Sequence, residues 1–88
     1  MSRGGPDRVI LHAYVTEKAM GEMERQNKLE FMVARHATRP MIKKAVEEIY
    51  QAKVLKVNVK IGIAGKIATV RFRKDFSAED IGSRAGVF

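Results

Sequence analysis

The sequence contains no cysteine among its 88 residues, which excludes a disulfide framework and a thiolate metal site. It contains no run of about 18 apolar residues, so it predicts no helix that crosses a bilayer. Residues 1–6 lack the apolar stretch of a signal peptide. We therefore expect a cytoplasmic protein with no direct membrane insertion.

Catalytic and metal-binding patterns are also lacking. His12 and His36 are far apart and have no neighbours at ligand spacing. The adjacent acids at 47–48 and 79–80 point in different directions on a helix, so neither pair converges for acid–base chemistry. The glycines do not form a phosphate-cradling loop. The sequence predicts no enzyme, no metal, no cofactor and no small-molecule substrate, and a small acyl-phosphate hydrolase lacks its anion-cradling loop here.

Length and charge limit the remaining choices. A chain of 88 residues is long enough for one small domain with a modest core. Its 45% hydrophobic content is too high for an intrinsically disordered protein. We expect a flexible N-terminal tail at residues 1–8 and a single domain at residues 9–88. The net charge of +7 favours a nucleic acid or an anionic membrane surface as partner.

Acidic residues are absent from residues 49–74, and the same stretch predicts a β-hairpin. Apolar and polar residues alternate along both arms with the period of a half-buried strand, and Gly62 and Gly65 bracket the turn. If these glycines pair, Lys56 lies opposite Arg71, a like-charge pair that weakens a sheet unless an anion lies beside it. The stretch carries seven basic residues: Lys53, Lys56, Lys60, Lys66, Arg71, Arg73 and Lys74.

The same pairing gives the hairpin one apolar and one polar face. The apolar face is predicted to pair Val59 with Ala68, Val57 with Val70, and Leu55 with Phe72. The polar face pairs Lys60 with Ile67, Asn58 with Thr69, and Lys56 with Arg71. Two interpretations of the polar face stay open: a charged edge that discourages aggregation between sheets, and a surface that binds a polyanion.

Local signals predict the other elements. A short apolar run at residues 9–11 indicates a strand, and alternation at residues 29–33 indicates another. Thr16 and Thr38 are placed as N-caps of two helices, and Ser77 begins a short C-terminal helix. The order strand, helix, strand, helix, strand, strand, short helix predicts an α+β sandwich, with helices covering one sheet face.

Aromatic side chains are missing from the polar hairpin face, and base-stacking platforms need them. Contacts from Lys and Arg to the backbone of folded, largely double-stranded RNA fit these residues better. A stand-alone ferredoxin-like RNA-binding module remains the alternative. It requires exposed aromatics on its central strands. A membrane-surface protein requires an amphipathic helix rich in Lys and Arg on one face, and none is evident.

Five segments match one known family in order and spacing. They are residues 15–20 (VTEKAM), 27–31 (NKLEF), 37–47 (ATR with IKKAVE), 54–59 (VLKVNV) and 78–88 (AEDI to GVF). Together they resemble the large-subunit ribosomal protein twenty-three family, and the resemblance covers residues 9–88. The short hairpin tip and the acidic-then-apolar C-terminus resemble the archaeal type.

The resemblance implies a four-stranded antiparallel sheet with packed helices. It also implies binding to large-subunit ribosomal RNA and contact with the neighbouring ribosomal protein of the twenty-nine family. A chaperone, the signal recognition particle and the translocon would dock at the nascent-chain exit tunnel. Glu17 matches the family's acidic docking position, although a carboxylate in the first turn of a helix is also favoured by the helix dipole.

The sequence departs from the family in two places. Gly62 and Gly65 leave too little loop to line the tunnel deeply, and Ile67 stands where the family has a second basic residue after Lys66. As hairpin contacts to RNA we predict Lys56, Asn58, Lys60, Arg71 and Arg73. As secondary contacts we predict Lys43, Lys44, Lys53, Lys66 and Lys18.

Overall fold

The computed structural model describes residues 9–14 and 16–85, so the predicted flexible tail at residues 1–8 lies outside the described residues. The elements follow the predicted order, and the α+β fold class is confirmed. No helix in the described residues is long and apolar enough to cross a membrane. The elements are β1 Ile10–Ala13, α1 Glu17–Gln26, β2 Lys28–Val33, α2 Arg39–Tyr50, β3 Val54–Gly62, β4 Gly65–Phe72 and α3 Ala78–Arg84.

The strands form one four-stranded sheet in the order β1-β2-β4-β3. Every neighbouring pair is antiparallel, which confirms the sheet that the family resemblance implies. β2 and β4 are the inner strands, and β1 and β3 are the edges. This order places β4 of the hairpin beside β2, although more than 30 residues separate these two strands in the sequence.

Each helix begins at the predicted cap. The Thr16 hydroxyl accepts a hydrogen bond from the Ala19 amide at 3.0 Å, and the Thr38 hydroxyl accepts one from Met41 at 3.3 Å. The Ser77 hydroxyl accepts a hydrogen bond from the backbone amide three residues later, also at 3.3 Å. Each such cap contributes about 1 kcal/mol of stability.

Asn27 ends α1 and also joins two distant parts of the chain. Its backbone is left-handed, with φ 56° and ψ 44°. Its side-chain amide nitrogen lies within 3.2 Å of the carbonyl oxygens of Phe72, Arg73 and Phe76, and its oxygen accepts from the Ala78 amide at 2.7 Å. The residue that the sequence marks only as a helix end therefore fixes the connection from β4 to α3.

The helices pack on one face of the sheet and bury a single apolar core. Phe31 and Phe72 are fully buried there, as the apolar-face alternation predicts. The ring of Phe31 stacks on Tyr50 of α2, with centroids 5.9 Å apart. The opposite sheet face carries no helix among the described elements. The largest fully buried side chains are Phe31, Phe72, Ile42, Ile81, Val46 and Val70.

The hairpin register is confirmed except at its start. Lys56 pairs with Arg71, and the pairs from there to Gly62 and Gly65 are as predicted. The predicted pair of Leu55 with Phe72 is wrong, because a register irregularity between residues 54 and 56 brings Val54 opposite Phe72 instead. An extra residue in one strand reverses which side chains face the core. Accordingly, Val54 is 5% exposed and Leu55 is 59% exposed.

Candidate nucleic-acid interface

A row of three cations crosses the sheet on the face opposite the helices. Arg71 of β4 pairs with Lys56 on one side and with Lys28 of β2 on the other. Neighbouring strands are about 4.8 Å apart, so the three charges repel one another. The sequence patterns do not predict that Lys28 lies beside Arg71, because they do not show that β2 pairs with β4.

These cations line a small depression of about 60 Å³ together with Asn58 and Thr69. Three cations supply charge, and the amide and hydroxyl supply neutral hydrogen-bond donors. Phosphate oxygens accept from both kinds of group. We call this set Lys28, Lys56, Asn58, Thr69 and Arg71 the phosphate row. It contains three of the five predicted hairpin contacts.

The phosphate row borders a buried acid, Glu30, which the hairpin sequence did not reveal. Glu30 pairs with Thr69, which in turn pairs with Asn58. Its side chain is only 9% exposed. The hairpin strands carry no acid on this face, but β2 contributes a carboxylate to its middle.

The far end of the same face is apolar in its centre. Met32 and Ile67 are paired and buried, and Ile67 is 4% exposed. Lys60 pairs with Ile67 beside this apolar centre. The pair of Asn58 with Thr69 separates it from Lys56. The Met32 side chain reaches Gly65, where a Cβ would lie 3.0 Å from the Met32 methyl. Gly65 also has φ +132°, which L side chains rarely adopt, so this turn needs glycine.

The β1 edge adds an aromatic residue to this face. The Tyr14 amide donates to the Glu30 carbonyl oxygen at 2.8 Å. Because His12 pairs with Met32 and side chains alternate along a strand, Tyr14 lies on the same face as the phosphate row. The polar face of the hairpin has no aromatics, but Tyr14 lies beside this face directly after β1.

Arg73 lines a different depression from the three predicted hairpin contacts of the phosphate row. It lines a second depression, of about 440 Å³, with Lys43 and Lys53. Glu47, Val54 and Leu55 complete its lining. The structure thus divides the predicted cations into two groups, one on the sheet face and one at the start of β3.

The remaining predicted cations join neither group. The Lys66 ammonium donates to the carbonyl oxygens of Arg35 at 3.0 Å and Ala37 at 2.7 Å, so it holds the β2–α2 loop. Lys18 and Lys44 are exposed on helices, in the layer that covers the other sheet face. Within residues 9–14 and 16–85, no three His, Asp or Glu side chains come together as a metal site.

The fold and these surfaces define a class: a small basic α+β protein with helices on one sheet face and a cationic row on the other. The comparisons with known proteins give the family. The model described as "Ribosomal protein L23" matches residues 8–85, which is nearly the whole chain. This chain belongs to the ribosomal protein L23 family, so it is a structural ribosomal component and not an enzyme.

Curated relatives agree over nearly their whole length. A protein named large ribosomal subunit protein uL23 from Picrophilus torridus is 48% identical over 90% of this chain and 96% of its own. Proteins of the same name from Thermoplasma acidophilum and Haloarcula marismortui are 48% and 46% identical, each over 91% of this chain and 95% of their own. These relatives are archaeal, which confirms the type that the sequence indicates.

Proposed function

We propose that this chain is a structural constituent of the large ribosomal subunit in the cytoplasm and that it binds large-subunit ribosomal RNA through the phosphate row. The observation that carries the proposal is the pairing of Arg71 with both Lys28 and Lys56 around one small depression. Like charges directly opposite each other destabilise a sheet. A phosphate in the depression would relieve that repulsion and add charge-assisted hydrogen bonds.

The alternative of a protective charged edge explains only part of this row. Lys56 lies on the edge strand β3, where a cation discourages pairing with another sheet. Arg71 and Lys28 lie on the inner strands β4 and β2, which have no free edge to protect. Their positions favour a ligand on the sheet face.

The alternative of a stand-alone ferredoxin-like RNA reader also fits less well. Such readers stack bases on aromatic side chains of the central strands. On this face the inner strands carry Glu30 and Met32 from β2, and Ile67, Thr69 and Arg71 from β4. Contacts to phosphate and sugar suit these side chains better than base stacking.

We further propose that the helix layer is the docking side for other proteins. Glu17 is exposed in the first turn of α1, which packs on the sheet face opposite the phosphate row. With RNA on one side, this side remains accessible to the neighbouring protein of the twenty-nine family, the signal recognition particle and the translocon. Glu17→Arg should weaken binding of the signal recognition particle to ribosomes, whereas the exposed control Glu24→Arg should not.

Sedimentation of the full chain tests the ribosomal proposal. In a high-salt gradient of cell extract, the protein should migrate with the large ribosomal subunit. We expect the protein to stay bound to the ribosomal RNA at high salt, because many phosphate contacts act together. Migration of the chain with small free proteins would overturn the proposal.

A further inference from the structure

The second depression is built by three separate segments that meet at the start of β3. Lys43 and Glu47 come from α2, Lys53 from the loop before β3, and Arg73 from the residue directly after β4. The Arg73 amide donates to the Lys53 carbonyl oxygen at 3.1 Å. This bond holds the backbones that carry the two cations side by side.

Glu47 is the acid in this depression, and its carboxylate is engaged with the backbone. Its Oε2 accepts a hydrogen bond from the Val54 amide at 3.0 Å. Three cations face this single carboxylate, so the lining keeps a positive charge. Glu47 fixes the first residue of β3 and thereby the irregularity that follows it.

That irregularity turns Leu55 outward into the cationic lining. Leu55 is 59% exposed, while Val54 takes the buried place opposite Phe72. Bulges commonly re-aim side chains next to functional sites. A bulky apolar side chain beside three cations matches a ligand that is anionic on one side and has a non-ionic surface on the other.

We propose that this depression holds one nucleotide of ribosomal RNA, with its phosphate between Lys53 and Arg73 and its ribose or base against Leu55. This rests on the proposed function, because the site lies next to the phosphate row. Leu55 precedes Lys56, and Arg73 follows Arg71 by two residues, roughly 7 Å along a strand. That continuity favours RNA over an acidic segment of a partner protein.

Paired substitutions in the full chain test the charge part of the inference. For binding to a large-subunit ribosomal RNA transcript, Lys53→Ala with Arg73→Ala should reduce the magnitude of the slope of log affinity against log salt by about 0.7 to 0.9, the loss of one phosphate contact. Arg25→Ala with Arg39→Ala, exposed cations outside both surfaces, should leave the slope unchanged. An unchanged slope for the first pair would overturn the inference.

Single cysteines test the placement directly, because the chain has none of its own. A hydroxyl-radical probe attached to Leu55→Cys, in large subunits reconstituted with the variant, should cleave ribosomal RNA at a site different from that cut from Asn58→Cys. A probe on Ser83→Cys of α3 is the control. RNA cleavage from position 58 but not from 55, or a protein contact at 55, would overturn this inference alone. No RNA cleavage from either would also overturn the proposed function.

Discussion

Lys56 lies directly opposite Arg71 across β3 and β4, and Lys28 flanks Arg71 on its other side. A sheet gains nothing in stability from this arrangement, since directly opposed like charges raise its free energy by a few tenths of a kcal/mol to about 1 kcal/mol per pair. We propose that an anion bound beside the row offsets this cost. Removing a cation from this row should therefore lower the affinity for RNA and leave the free energy of unfolding unchanged or higher.

The start of β3 offers a test of the observed register. Val54→Ala should lower the free energy of unfolding by about 1.5–2.5 kcal/mol, since it removes buried methyl groups and leaves a cavity. Leu55→Ala should cost less than about 1 kcal/mol, because Leu55 is mostly exposed. Urea denaturation measures both. A larger loss for Leu55→Ala would support the regular hairpin that alternation predicts.

Asn27 should be the most sensitive polar position in the fold. Asn27→Gly keeps the left-handed backbone available but loses the side-chain contacts to Phe72, Arg73, Phe76 and Ala78. At about 0.5–1.5 kcal/mol for each hydrogen bond, the free energy of unfolding should fall by about 2–4 kcal/mol.

Gln51 provides the matched control for Asn27. It is also left-handed, with φ 52°. In Gln51→Gly the relief of backbone strain, about 1–2 kcal/mol, is partly offset by the entropy of glycine, about 0.5–1 kcal/mol. Its stability should change by no more than about 1 kcal/mol. Equal losses at both positions would show that the Asn27 side chain contributes nothing beyond its backbone conformation.

Lys66 and Lys60 should separate stability from RNA binding. Lys66→Met removes donors to the Arg35 and Ala37 carbonyl oxygens and should cost about 1–2 kcal/mol of folding free energy. Lys60→Met, at an exposed position in the same hairpin, should cost less than about 0.5 kcal/mol. For RNA affinity we expect the reverse, a larger loss in Lys60→Met than in Lys66→Met. If Lys66→Met alters RNA affinity more than Lys60→Met does, the assignment of Lys66 to the loop is wrong.

Glu30 should restrain RNA binding. Glu30→Gln keeps the shape of the side chain but removes a negative charge two residues from Lys28, so affinity for unrelated RNA should rise several-fold at low salt. Filter binding at several salt concentrations measures this. Glu24→Gln, an exposed acid on α1, should have no comparable effect. Unchanged affinity in Glu30→Gln would show that the Glu30 carboxylate does not repel RNA phosphates at this face.

Local patterns were sufficient to predict the elements and most of the hairpin. Side chains such as Thr16 and Thr38 act on amides three residues away, and the turn at Gly62 and Gly65 sets the register of its own arms. These interactions are short-range, so their signals lie within a few residues of one another. The prediction that the four strands form one antiparallel sheet came from the family resemblance, because local signals do not show how distant strands pair.

Long-range pairing and the start of β3 were beyond such patterns. Lys28 and Glu30 join the site only because β2 pairs with β4. The alternation within a single strand does not show which other strand it pairs with. Val54 and Leu55 are adjacent apolar residues, so alternation alone could not decide which one faces the core. That ambiguity hid both the outward turn of Leu55 and the grouping of Arg73 with Lys53.

The salt dependence of RNA binding by the phosphate row tests the account most directly. For the full chain and a large-subunit ribosomal RNA transcript, Lys56→Ala with Arg71→Ala should reduce the magnitude of the slope of log affinity against log salt by about 0.7 to 0.9, the loss of the phosphate in the depression. The free energy of unfolding should stay the same or rise, because like charges are removed. Arg25→Ala with Arg39→Ala should keep the wild-type slope. A wild-type slope in the Lys56 and Arg71 variant would contradict the claim that this row binds RNA.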